Sequence, residues 1–284
     1  MKKLFNDKEM YNFNTKSKLG YIFKIIEPII IYLGVLIVLE IILVMISIAL
    51  GFKEGSTNYK ILENIEEPII DMILIFIMYK IYKKESDNDY PVVTKWMKKE
   101  YLIIGALIIL FLAPLPDYFV TLLEKVFPHI NDIYEETFTS AINNLNIIVN
   151  FVTICIFAPI LEEIMCRGLI LNRLLSKNKV WVSIFITALI FGVLHMNWSQ
   201  GISAFLAGIL LCYVYVKTRN IKVCILGHAL NNIFALTFMY INISPKVETI
   251  INISFIVIGL ILTYFFIRSD NTEVTLCKSK TVSN

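Results

Sequence analysis

Long apolar blocks separated by short polar connections dominate the chain, and their lengths set the first constraint. A helix needs about 20 apolar residues to cross the hydrocarbon core of a bilayer. Eight blocks come close, at about 28–52, 66–82, 101–123, 147–172, 180–197, 199–217, 221–243 and 247–267. Pro68, Asp71, Pro114, Pro116 and Asp117 interrupt some of them, so their ends are fixed only to within a few residues. Polar connections fall at 53–65, 83–100 and 124–146, and residues from about 268 onward read as a disordered tail. The pattern predicts an all-α fold: a polytopic membrane helical bundle of about eight transmembrane helices.

Composition agrees. Of 284 residues, 57% are hydrophobic and 17% charged, with a mean hydropathy of +0.71, and a soluble fold of this size has too little interior to hide that much apolar surface. The first block starts near residue 28, too late and too long for a cleaved signal peptide, and reads as an anchor. With the N-terminus placed in the cytoplasm and eight spans alternating, 22 of the 26 basic residues fall on the cytoplasmic side. The exceptions are Lys53, Lys60, Lys125 and Lys246, beside acidic neighbours such as Glu66, Glu67, Glu135 and Glu136. Both termini are therefore expected in the cytoplasm, with the chain multi-pass in the cell membrane. A net charge of +3, without a basic run interleaved with aromatics, excludes a nucleic-acid partner from the expectation. Cys155, Cys166, Cys212, Cys224 and Cys277 lack metal-type spacing; the first four lie in apolar blocks and read as inert, buried thiols.

Ionisable side chains inside a span are costly, so each is a candidate functional group. Glu40 and Asp71 stand alone in their blocks and read as polar packing groups. The second half of the chain differs because its polar residues converge. In Ala158-Pro-Ile-Leu-Glu-Glu-Ile-Met-Cys-Arg-Gly168, Glu163 and Arg167 are i,i+4 and able to neutralise each other. Glu162 points about 100° away around the helix and has no evident local partner. Pro159 removes a backbone hydrogen bond just before the pair and can kink the helix. Two of the three histidines also lie in spans: His195, and His228 with Asn232 at i,i+4. In a hairpin turning near Asn178, Glu162 lies 16 residues before the turn and His195 17 after, so the two sit level. His228 reaches that level if the hairpin protrudes about 10 Å into the cytoplasm, a placement that suits Arg173, Lys177 and Lys179 at its tip. Glu162, His195, His228 and Asn232 can then share one cavity in the membrane. Ser203-xxx-Ala207 and Ala204-xxx-Gly208 are small-residue pairs suited to close helix packing, and Asn197 and Trp198 read as markers of the outer interface.

Glu162-Glu163-xxx-Arg167, Phe191-xxx-His195 and His228-xxx-Asn232, in this order on separate spans, resemble the CPBP family: type II CAAX prenyl endopeptidases and bacterial bacteriocin-processing or immunity (Abi) proteins. The resemblance covers roughly residues 145–243, with Cys166 standing where members often carry Phe. It implies an intramembrane endopeptidase that cleaves a hydrophobic or membrane-associated peptide or protein, with a lipid-modified substrate as one option. Glu162 and His195 would activate water, and His228 and Asn232 would stabilise the oxyanion. Glu163 and Arg167 would orient the helix or anchor a substrate carboxylate. No cofactor is favoured; the metal alternative is a zinc site on Glu162, His195 and His228, a metalloendopeptidase on the same residues. A non-catalytic bacteriocin immunity or binding protein is the second class, and a proton-coupled carrier using Glu40, Asp71 and Glu162 a weaker third. The chain divides on this reading into flanking helices (1–130), a catalytic core (131–268) and a cytoplasmic tail (269–284).

Overall fold

The computed structural model describes residues 17–53, 55–88, 92–93, 99–127, 146–241, 243–268 and 276–277. Among the described residues eight helical segments follow one another: α1 (Lys18–Ala49), α2 (Thr57–Asn88), α3 and α4 (Lys99–Phe111 and Pro114–Glu124, one interrupted segment), α5 (Ile147–Leu175), α6 (Val180–Leu194), α7 (Trp198–Thr218), α8 (Ile221–Tyr240) and α9 (Pro245–Arg268). The remaining regular structure among the described residues is a two-residue antiparallel pairing of Val92–Val93 with Leu276–Cys277. The all-α bundle expected from the pattern is the fold observed.

Each apolar block became a helix, but the segments are not equivalent. Six among the described residues are long and apolar enough to cross a membrane. The other two are α6, apolar but only 15 residues long, and α2, whose 32 residues include Glu63, Glu66, Glu67 and Asp71. At 1.5 Å per residue α6 spans about 22 Å, less than the ~30 Å hydrocarbon core. Lys2, Lys3, Lys8, Lys16, Lys95, Lys98, Lys278, Lys280, Glu135, Glu136 and the 269–284 tail, apart from 276–277, lie outside the described residues.

Prolines leave their mark where the physics requires. Pro114 and Pro116 cannot donate to Leu110 and Leu112, and the amides of Ala113 and Leu115 bond those carbonyls instead, at 3.2 and 3.1 Å. The apolar segment breaks there into α3 and α4. In α5 the backbone widens into π-helical turns at Thr153–Phe157 and Ile164–Leu171, on either side of a short α-helical stretch, Ala158–Glu163. The sequence suggested a kink at Pro159; the helix absorbs the proline by a change of register.

α5 lies at the centre. Every residue from Glu163 to Leu175 is buried, against α1, α2, α6, α7 and α8. This half carries Glu163, Arg167, Asn172 and Arg173 among its apolar residues, and each of the four is bonded inside the bundle that encloses it. α1 is the opposite case, with Ile30, Leu33, Ile37, Val38, Ile41 and Ile42 exposed on its outer faces, as a lipid-facing helix requires. α6 and α7 cross closely through small residues: a Cβ on Gly192 would lie 2.6 Å from the Gly201 carbonyl oxygen, and one on Gly208 3.2 Å from Ala188 Cα. Ala204 and Gly208 thus serve helix packing as their spacing suggested, whereas Ser203 donates to Asp117 across to α4 (2.6 Å).

Arg173 corrects the sequence reading. It is fully buried, with two bonds to the Glu85 carboxylate (3.1 and 2.5 Å), an ion pair to Glu27 (3.0 Å) and a bond to the Lys24 carbonyl. A guanidinium presents its donors in a fixed fork, which suits it to this bidentate clamp. It ties α1 and α2 to α5 and is not a solvated charge at a protruding tip. Lys217, also counted as a cytoplasmic charge, is buried and bonds the Phe266 carbonyl. Cys155, Cys166, Cys212 and Cys224 are buried free thiols, in line with expectation.

Candidate active site

The end of α6 fixes His195. The amide of His195 bonds to Gly192 (3.2 Å), Met196 takes a left-handed conformation (φ 56°), and the helix stops. That leaves the Phe191 carbonyl without its usual i+4 amide, and His195 Nδ1 caps it at 2.8 Å. A carbonyl only accepts, so Nδ1 carries the proton, and Nε2 of the neutral ring is left as an acceptor. The Phe-xxx-His spacing is therefore a C-terminal cap that also sets a tautomer. The Phe191 ring packs edge-on to both histidines, at centroid distances of 4.9 Å for His195 and 6.0 Å for His228.

α5 supplies two adjacent carboxylates with different surroundings. Glu163 is wholly buried; its Oε1 accepts from Arg167 (2.9 Å) and from His228 Nδ1 (2.9 Å). Arg167, also wholly buried, bonds the Gly208 carbonyl (3.3 Å) and lies over the Phe191 ring at 4.6 Å. Both side chains are wholly buried, out of reach of a substrate carboxylate. Glu162 faces a different space. Its side chain is 28% exposed, and Oε2 stands 3.7 Å from His228 Nε2. His228, on α8, is thus held at Nδ1 by one glutamate and presents Nε2 towards the other.

Glu162 and His195 line one cavity of about 120 Å³ together with Tyr32, Asp71, Ala158, Leu161, Met165, Phe191 and Leu194. The level matching read from the sequence brings these two together. Asp71, expected as a packing group, also lines this cavity, from α2, which packs against α5. Tyr32 of α1 lines it as well, with nothing in the sequence to mark it. An ionisable residue at membrane depth was the only signal for Asp71, and the register of α2 against α5 is not readable from either helix alone. Glu40 is not among the residues lining this cavity.

Neither His228 nor Asn232 is among the residues lining this cavity, so of the four residues expected to share it only Glu162 and His195 do. In the first π-helical turn of α5, the amide of Ala158 bonds to Thr153. The same register would pair the Ile154 carbonyl with residue 159, a proline without an N–H. Asn232 Nδ2 supplies the missing donor at 2.8 Å. An amide nitrogen carries two protons, so one stays available after this contact. Among the described residues no group of three or more His, Cys, Asp or Glu is placed to hold a metal ion. As arranged, then, Glu162, His195 and His228 do not fit a three-ligand metal site.

Comparison with known proteins places this region. Residues 144–234 match the family model "Type II CAAX prenyl endopeptidase Rce1-like". A Bacillus subtilis (strain 168) protein named "Putative membrane peptidase YdiL" is 32% identical over 79 residues, 28% of this chain and 32% of that protein. The match thus spans about a third of the relative's length. No solved structure matches the chain. The segment matched by the family model runs from α5 into α8 and carries Glu162, Glu163, Arg167, His195, His228 and Asn232.

Proposed function

We propose that the chain, whose residues 144–234 match the Rce1-like, type II CAAX prenyl endopeptidase family model, is an intramembrane endopeptidase. It hydrolyses a peptide bond of a hydrophobic or membrane-associated peptide or protein. The observation that carries this reading is the placement of Glu162: in a cavity with His195, beside His228 Nε2 at 3.7 Å, next to a Glu163 already taken up by Arg167 and His228.

In the proposed reaction a water held between Glu162 and His195 Nε2 gives a proton to the Glu162 carboxylate as its oxygen bonds to the scissile carbonyl carbon. Negative charge develops on the carbonyl oxygen. His228, in this scheme the imidazolium held between the two carboxylates with Nδ1–H on Glu163, donates to it from Nε2–H, and Asn232 from its second Nδ2 proton, the kind of preorganised contact that is often the largest single catalytic term. The Glu162 carboxyl then returns its proton to the leaving amine as the C–N bond breaks, which restores the carboxylate. Glu163 and Arg167 act through His228 by fixing its ring. No step calls for a metal, and the donor arrangement supports a glutamate mechanism over a zinc one.

The basic-residue bias supports eight spans with both termini in the cytoplasm. It still favours that orientation after Arg173 and Lys217 are set aside, since neither is a solvated charge. On this reading α6 is a short helix whose end, at His195, lies within the bilayer.

The test compares peptide termini in membranes and medium from cells carrying wild-type protein or Glu162→Gln at matched expression, followed by cleavage of the emerging candidates with purified protein. The account expects a set of termini that vanishes with Glu162→Gln. Unchanged termini alongside a preserved cellular phenotype would turn the reading towards a binding or immunity role.

A further inference from the structure

Asp71 is the group in the cavity that the proposed mechanism does not use. It lies near the middle of α2, outside the segment 144–234 that matches the family model. Among the described residues it makes no hydrogen bond or ion pair, while Glu162 has His228 at 3.7 Å. Tyr32, across the same space, likewise makes neither. A carboxylate in the bilayer interior normally faces a partner or a water-filled path, because the uncompensated charge is costly there. The buried charges elsewhere in this protein obey that rule: Arg167 has Glu163, and Arg173 has Glu85 and Glu27.

The lining of the cavity identifies the missing partner. It contains two carboxylates, a phenol and an imidazole, no Lys or Arg, and otherwise apolar walls from Ala158, Leu161, Met165, Phe191 and Leu194. Its volume of about 120 Å³ equals roughly four waters. That is room for one elongated group with a cationic end, whose methylenes would lie on the apolar walls while its charge meets the acid. A neutral or anionic group there would leave Asp71 uncompensated, the arrangement that rejects a wrong ligand.

We propose that Asp71 makes this site selective for substrates with a basic side chain, lysine or arginine, next to the scissile bond. The inference rests on the endopeptidase reading and names its substrate class. Asp71 is then a specificity-determining residue, which contacts the side chain beside the reacting atoms and takes no part in bond making.

The experiment has two arms, both on the full chain reconstituted in nanodiscs. In the first, a library of hydrophobic peptides randomised at two adjacent positions is digested and the cleavage sites are sequenced. Wild type is expected to cleave next to Lys or Arg at least tenfold more often than next to Leu, Gln or Glu. Asp71→Asn should lose that preference while still cleaving neutral peptides, and Asp71→Lys should prefer Asp or Glu. Cleavage by wild type without charge preference, or a preference that survives in Asp71→Asn, overturns the proposal and leaves the endopeptidase reading intact. In the second arm, n-butylammonium and n-butanol are compared as ligands by thermal unfolding, which requires no turnover. The ammonium ion should raise the midpoint of wild type and of Glu162→Gln above that given by the alcohol, but not that of Asp71→Asn. Equal shifts in wild type and Asp71→Asn, or no shift in wild type, overturn the proposal even if no library peptide is cut, an outcome that would itself count against the endopeptidase reading.

Discussion

Glu162 and Glu163 are neighbours in sequence and identical in chemistry, yet they belong to different regions of the molecule. Glu163 lies in a sealed network with Arg167, His228 Nδ1 and the Phe191 ring, with no exposed surface. Glu162 opens on the cavity lined by His195, Asp71 and Tyr32. One residue of helical rotation separates a sealed carboxylate from one that opens on the cavity. Burial with a partner fixes geometry, and exposure beside a fixed histidine leaves a group free to react. The sealed network exists on this account to hold His228 for the open one.

The largest effect should come from opening the sealed region. Arg167→Ala leaves Glu163 buried without its cation, and removing one partner of a buried pair costs about 3–5 kcal/mol. Thermal unfolding in detergent should show a large loss of stability, or the protein should fail to accumulate. The next effect acts on the frame of the cavity. Gly192→Ala puts a Cβ 2.6 Å from the Gly201 carbonyl oxygen, a backbone atom that cannot swing away. Overpacking of this kind costs about 1–3 kcal/mol, and because α6 ends three residues later at His195, turnover should fall as well. Asn232→Ala exposes the Ile154 carbonyl that Pro159 cannot satisfy. The contact is half-buried, so the stability loss should be only about 1 kcal/mol, measured by chemical unfolding. Its effect on turnover would be the loss of one oxyanion donor. The smallest effect expected is none: dialysis against EDTA should leave cleavage unchanged, and loss restored by zinc would contradict the proposed glutamate mechanism.

Much of this was legible in the sequence, and what was missed shares a physical cause. Block lengths mark the eight helical segments among the described residues because the bilayer requirement acts on local composition. The i,i+4 relations of Glu163 with Arg167 and of Phe191 with His195 follow from helix geometry. The level matching about the Asn178 turn needs only a rise per residue. Hydropathy, however, marks both α1 and α5 as spans without saying that α1 faces outward and that the inner half of α5 is enclosed by other helices. The positive-inside count treats every basic residue as solvated, and Arg173 and Lys217 are not. The link from Glu163 to His228 and the approach of Asp71 depend on the register between helices distant in the chain, which no periodicity records. The first π-helical turn of α5 has a visible cause in Pro159, but its compensation comes from Asn232 on another helix.

The most direct test exchanges the two carboxylates one at a time, as Glu162→Gln and Glu163→Gln, and measures thermal stability and cleavage rate for each. The account predicts that Glu162→Gln keeps the unfolding midpoint close to wild type and lowers the rate about 10²–10⁴-fold, the usual contribution of a general base. Glu163→Gln should instead lower the midpoint markedly, through the unpaired Arg167. A Glu162→Gln protein that cleaves at the wild-type rate, or a Glu163→Gln protein as stable as wild type, would contradict the division of labour between the two regions.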